Sequence, residues 1–192
     1  MKRALFALFF IPSLALFAQP VQARIDIDAT RSMIPLTNFA TKPGGYGANA
    51  SWLKPEQKPC YAVLQADVSN NAFVQVELKF TPMRSGPVNL QVKGPYYRKQ
   101  GETKNTPVFV FWDKLEVEGA VLKNGDFEEA GSWSLQTNVP PTPEDAMFNK
   151  DASRIKSGKT SLRVCHDRSA FQTLEVKSNT QVVIRGWAMV QK

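Results

Sequence analysis

The sequence predicts an all-β protein, a sandwich or jelly roll, and three observations point there. Short runs alternate apolar and polar residues with a period of two. Thirteen prolines and eleven glycines punctuate the spaces between those runs, so the strands are short and numerous. No segment sustains a helical period.

The first 23 residues stand apart from this pattern. Lys2 and Arg3 precede an apolar stretch from Ala4 to Ala18, and Val21-Gln22-Ala23 offers a small-residue cleavage site. These are the parts of a secretory signal peptide, so residues 1–23 are expected to be removed and the mature chain to start at Arg24, in the periplasm or outside the cell. As a membrane anchor the stretch is short, is broken by Pro12 and lacks a stop-transfer charge cluster, so no transmembrane segment is expected after cleavage. Residues 24–192 have the length of one ordinary domain. The leader holds two of the 24 Lys and Arg and no acid, leaving 22 against 17 Asp and Glu, a formal charge of +5. That excess is modest and not interleaved with aromatics, which argues against nucleic acid as a partner.

In chain order, the first strand is expected near Ile25 to Ala29. A long irregular stretch from Ser32 to Pro59 follows, containing Pro43-Gly44-Gly45, and then a strand from Tyr61 to Val68. From Phe73 to Phe80, Val74, Val76, Leu78 and Phe80 alternate with Gln75, Glu77 and Lys79, as a sheet with one wet face requires. Val88, Leu90 and Val92 repeat the pattern against Asn89, Gln91 and Lys93. Between the two runs TPMRSGP supplies Pro82 and Gly86, which predicts a hairpin with a loop longer than two residues. Further strands are expected over Val108 to Val117, Ser161 to Cys165, Phe171 to Val176 and Gln181 to Val190. Thr137 to Lys156, with Pro140-Pro141-Thr142-Pro143, is the second long irregular stretch. Loops of that length inside a compact domain are usually functional or mobile.

Cys60 and Cys165 are the only cysteines, and an exported chain matures where thiols oxidise, so one disulfide is expected between them. By chain entropy, closing a loop of about a hundred residues would contribute about 4 to 5 kcal/mol, less any strain. Two reduced, buried thiols are the alternative.

The segment VFVFWDKLEVEG carries the first chemical signal. Phe109, Phe111, Leu115 and Val117 share one face by parity, with Asp113 among them, and a carboxylate on an apolar face needs a partner, a hydrogen bond or a metal. Ten residues on comes NGDFEE, where Asn124-Gly125 suits a turn, Phe127 is a core aromatic and Glu128 takes the opposite parity. Two carboxylates near a tight turn could supply oxygens to calcium, which prefers six to eight. A hydrogen-bonded Asp113 and a surface Glu128 are the plainer reading.

NGDFE, Trp133, SGKTSLRV at 157–164, FQTLEV at 171–176 and VVIRGWAMV at 182–190 together resemble the first half of a carbohydrate-binding module. The families resembled are four, nine, sixteen and twenty-two, within the galactose-binding-domain-like jelly rolls. FVQVELKFTPMRSGPVNLQVKGP at 73–95 and VFVFWDKLEVEGA at 108–120 resemble the second half, so the halves stand in swapped order. Either the chain is one circularly permuted sandwich over 24–192, or 24–120 is one module and 121–192 a truncated second. A half-sandwich would leave its apolar faces and strand edges in water, which favours the permuted sandwich. The resemblance further implies a structural calcium held by Glu128, Asp113 and backbone carbonyls near Gly158 and Lys159.

A glycan needs aromatic faces for its C–H patches and polar groups for its hydroxyls. In VVIRGWAMV the core face takes Val182, Ile184, Gly186, Ala188 and Val190, leaving Arg185 and Trp187 outside as a sugar platform. Tyr96, Tyr97 and Trp52 are further candidates, while Trp112 and Trp133 are expected in the core or its rim. Trp187 covered by a loop or stacked with Arg185 is the alternative. Catalysis is not expected: the only histidine, His166, adjoins Cys165, and neighbours in a strand project to opposite faces, so they make no nucleophile and base. The expected function is therefore a secreted, non-catalytic carbohydrate-binding protein. A structural or protein-interaction module of the cell envelope, without sugar binding, is the alternative.

Overall fold

The alternating runs become strands whose apolar sides meet across a shared core. The computed structural model describes residues 21–43, 45–46 and 52–190, so the expected leader lies outside the described residues except for Val21 to Ala23. Two six-stranded antiparallel sheets form a β-sandwich. In spatial order, sheet A contains β3 (Gly45–Tyr46), β4 (Tyr61–Val68), β1 (Val21–Asp28), β6 (Gly86–Lys93), β11 (Ala170–Val176) and β8 (Ser134–Leu135). Sheet B contains β2 (Leu36–Lys42), β5 (Val74–Pro82), β12 (Val182–Val190), β7 (Val110–Glu118), β10 (Ser161–Val164) and β9 (Met147–Asn149). Among the described residues no helix is long and apolar enough to cross a membrane.

Strands from both sides of residue 120 enter both sheets. In sheet A, β11 pairs with β6, and in sheet B, β12 lies between β5 and β7. The core is correspondingly shared: Val76, Leu78, Phe80, Leu90, Trp112, Leu162, Leu174 and Ile184 are all sealed from water. Trp112 and Trp133 lie in it, as the sequence predicts. So do Val182, Ile184 and Ala188, while Gly186 is packed against the Leu115 side chain.

The structure corrects three expectations. The hairpin does not form: β5 pairs with β2 and β12, while β6 pairs with β1 and β11 in the other sheet. TPMRSGP crosses between the layers, so the apolar faces of the two strands meet across the core rather than side by side. Pro35 O and Ser178 anchor the crossing through Met83, whose N–H donates to Pro35 and whose carbonyl accepts the Ser178 hydroxyl.

The second correction concerns the strand around Asp113. Between the pairs Trp187–Asp113 and Arg185–Glu116, Lys114 and Leu115 stand opposite the single residue Gly186. This is a β-bulge, with Lys114 at a left-handed φ of 50°. Parity therefore flips there, so Leu115 packs in the core whereas Phe111 lies against the Arg154 guanidinium outside it. Third, Cys60 and Cys165 are both buried free thiols and form no disulfide. Cys60 precedes Tyr61, which pairs with Asp28, whereas Cys165 packs on Gly94, next to the Lys93 that pairs with Arg24. Four strand residues separate those positions, about 13 Å at 3.3 Å per residue, beyond the reach of a disulfide.

The long irregular stretches are also partly ordered: β2 and β3 fall inside 32–59, and β9 inside 137–156. At the start of β1, Ala23 is fully buried and pairs with Ala66, and Gln22 donates to Asp67.

Candidate functional site

The outer face of sheet A is built by three neighbouring strands. Arg24, Asp26 and Asp28 project from β1, Asn89, Gln91 and Lys93 from β6, and Tyr61 from the start of β4, with register pairs Arg24–Lys93, Asp26–Gln91 and Asp28–Asn89. Asp26 is 1 % exposed, and burial of that kind demands partners. Arg24 supplies a two-pronged contact, Nε to Oδ1 at 2.5 Å and Nη2 to Oδ2 at 2.9 Å, while the Tyr61 hydroxyl donates to Oδ2 at 2.7 Å. Lys93 Nζ stands 3.9 Å from Oδ2.

Aromatic rings extend this polar cluster on either side. Trp52, 63 % exposed, meets the Tyr61 ring edge-on at 5.9 Å between centroids. On the far side, Tyr96, 56 % exposed, meets His166 edge-on at 5.1 Å, and Arg98 lies over the Tyr96 ring at 5.6 Å. His166 sits within electrostatic range of Lys93, Arg24 and Asp26, so the row runs Trp52, Tyr61, Arg24 with Asp26, Lys93, His166, Tyr96. Burial, reinforced by Lys93, holds the His166 pKa below its ordinary value. Burial likewise lowers Lys93, while burial and the Asp26 carboxylate raise the Tyr61 phenol. Beside the row, Asp28, Arg31, Asn89, Gln91, Gln136 and Phe171 line a depression of about 240 Å³.

The sequence-predicted residues divide between two faces. Trp52 and Tyr96 belong to this row, and Tyr97 is exposed next to Tyr96. Arg185 and Trp187 lie on the outer face of sheet B. There Arg185 donates from Nε to Glu77 at 2.7 Å and is also paired with Glu118, and Lys156 covers the Trp187 ring at 4.2 Å. Arg185 is thus paired with two glutamates, and Lys156 lies over the Trp187 ring. A larger depression of about 520 Å³, around Val121, Lys123, Ser132, Gln172, Thr173 and Glu175, contains no aromatic ring.

The cluster of Arg24, Asp26 and Lys93 is what sequence reading missed. Its only trace is the charge at every second position of RIDID, Arg24 to Asp28, which places three ionisable groups on one strand face.

Asp113 and Glu128 do come together, on the loop from Lys156 to Thr160. Asp113 Oδ2 accepts the Lys156 and Ser157 N–H groups at 2.7 and 3.1 Å, and its Oδ1 accepts that of Lys114 at 2.7 Å. Glu128 Oε1 accepts Lys159 N–H at 2.8 Å and Thr160 N–H at 3.1 Å. Gly158 is required between them, because it has a φ of 72° and a side chain there would run into the Glu128 carboxylate. Burial raises the Asp113 pKa against the pull of its N–H donors, whereas the Lys159 N–H lowers that of Glu128.

The calcium implied by the resemblance can be tested against this geometry. Five N–H groups point their positive ends at the carboxylates, and among the described residues no group of three or more His, Cys, Asp or Glu is placed to hold a metal. Two carboxylates facing donors are a poor match to an ion that takes six to eight oxygens. The residues as arranged form a clasp held by the protein's own N–H donors.

The chain matches no family model, no curated protein and no solved structure.

Proposed function

We propose that this is a non-catalytic carbohydrate-binding protein, exported to the periplasm or beyond, that holds a glycan across the outer face of sheet A. The observation that carries the reading is the row itself: two exposed aromatics, Trp52 and Tyr96, on either side of a polar floor formed by Arg24, Asp26, Tyr61 and Lys93. Trp and Tyr faces match the C–H patches of sugar rings, and side-chain donors between them match hydroxyls. Arg24 and Asp26 hold each other in place, so the floor is ordered before a ligand arrives, which reduces the entropy lost on binding.

The resemblance to the galactose-binding-domain-like jelly rolls supports the same reading. Strands from both sides of residue 120 interleave in both sheets, as two swapped halves of one sandwich would. The residues it brings together, Asp113, Glu128 and the turn at Gly158, meet on one loop.

A glycan array spanning plant, algal and bacterial polysaccharides tests the proposal. Binding is expected, with affinity about ten-fold or more lower in Trp52→Ala and Tyr96→Ala at unchanged melting temperature. Trp187→Ala, on the other sheet, is expected to bind as the wild type does. Silence across the array would favour an interaction module of the cell envelope instead.

A further inference from the structure

We infer that the sheet A site selects an anionic polysaccharide, with the Lys93 ammonium as the group that meets the sugar's charge; this deepens the carbohydrate reading and rests on it. The charges on this floor do not balance. Arg24 and Lys93 flank the single carboxylate of Asp26, and Arg24 occupies both of its oxygens. The Tyr61 hydroxyl takes a further position on Oδ2. Lys93 is left at 3.9 Å, outside hydrogen-bonding distance, and among the described residues its Nζ donates no hydrogen bond.

The other nearby carboxylate is engaged elsewhere. Both oxygens of Asp167 accept from Asn105 Nδ2, at 3.0 and 2.9 Å. Lys93 is thus a cation with a 16 % exposed side chain whose nearest carboxylate, Asp26 at 3.9 Å, is already held by Arg24 and Tyr61, and burial lowers its pKa. Arg98, over the Tyr96 ring, adds a second cation at the rim and makes no ion pair among the described residues.

This arrangement discriminates between glycan classes. A neutral sugar lying along the row would strip more water from Lys93 and give it no counter-charge, which is unfavourable. A sugar carrying a carboxylate or a sulfate ester would supply a hydrogen-bonded anion of its own in a partly desolvated setting, where a charge-assisted hydrogen bond is strongest. Lysine is a compact point charge rather than a planar fork, so it accepts either anion. The position of Lys93 between the two aromatic ends places the charge contact mid-site, where it fixes register along a chain of repeating acidic units.

The test is affinity electrophoresis of the full mature chain through gels containing polygalacturonate, alginate, a sulfated galactan, neutral xylan or neutral β-glucan. Retardation by at least one acidic polymer, exceeding that by both neutral ones, is expected. Which acidic polymer is preferred then tells carboxylate from sulfate. Lys93→Met should weaken that retardation about ten-fold or more, whereas Lys150→Met, which removes the same charge from an exposed position at the end of β9, should change it less than about two-fold. Equal loss in both variants would show bulk polyelectrolyte attraction and overturn the assignment. Because the polymer ranking is read on the wild type, it stands even if Lys93→Met folds poorly. Equal or stronger retention by neutral polymers would overturn the inference and leave the carbohydrate reading in place. No retention by any polymer would remove both.

Discussion

Asp26 lies at 1 % exposure beneath Arg24, Tyr61 and Lys93, so its removal strands two cations on a partly desolvated surface. Asp26→Ala is expected to cost about 3 to 5 kcal/mol in chemical denaturation, the range for breaking one side of a buried pair. A loss below about 1 kcal/mol would mean that the cluster relaxes into water and is not an ordered floor. Tyr61→Phe, which keeps the ring against Trp52 and removes only the hydroxyl, should cost less. How legible was this cluster? RIDID placed Arg24 and Asp26 on one face, yet Tyr61 is 35 residues from Asp26 along the chain and no periodicity announces that contact. Trp52 and Tyr96 were legible as aromatics in irregular segments, and both are exposed. Arg185 and Trp187 were equally visible, but the partners that engage them, Glu77, Glu118 and Lys156, come from other elements.

At the scale of elements, the loop from Lys156 to Thr160 is held by carboxylates from two other segments, β7 and the turn after Asn124. Its amides should therefore exchange slowly with solvent although it belongs to no strand. Asp113→Ala is expected to release Lys156 and Ser157, at a cost of about 2 to 3 kcal/mol, while Glu128→Ala should release Lys159 and Thr160. Chelation should leave all four protected, and their release by a chelator alone would place a cation in the clasp.

Acid acts on the two carboxylates in opposite directions. The Glu128 pKa is lowered in the fold, so its contribution is complete above the ordinary Glu value of about 4.3 and is lost as pH falls through the lowered one. Asp113, raised by burial, has the reverse sign: what it contributes is complete below the ordinary Asp value of about 3.9 and is lost as pH rises through the raised one. Between about pH 5 and 3, melting temperature should fall less in Glu128→Gln than in the wild type. A parallel fall in both would remove Glu128 from the clasp. Asp113 and Glu128 were legible as a carboxylate among apolar strand residues and a carboxylate beside the Asn124-Gly125 turn. The bulge was not, because one extra residue at Lys114 reverses parity without altering the composition of the strand.

At the scale of the whole molecule, alternation revealed an all-β sandwich but not which strands are neighbours. A period of two fixes which side of a strand is apolar, and β5 and β6 present the same pattern whether they lie in one sheet or face each other across a core. Only the long-range partners decide: β12 beside β5, and β11 beside β6. The same partners give the two outer faces different characters. On sheet B, Arg185 is paired with two glutamates and Lys156 lies over Trp187, while sheet A keeps exposed aromatics around an ordered polar floor. The sheet A site is tested most directly by an amide chemical-shift titration of the chain with an oligosaccharide drawn from the best polymer on the array. Shifts are expected to concentrate at Arg24 to Asp28, Trp52, Tyr61, Asn89 to Lys93 and Tyr96. Shifts centred on Arg185, Trp187 and Lys156, with the sheet A face silent, would contradict it.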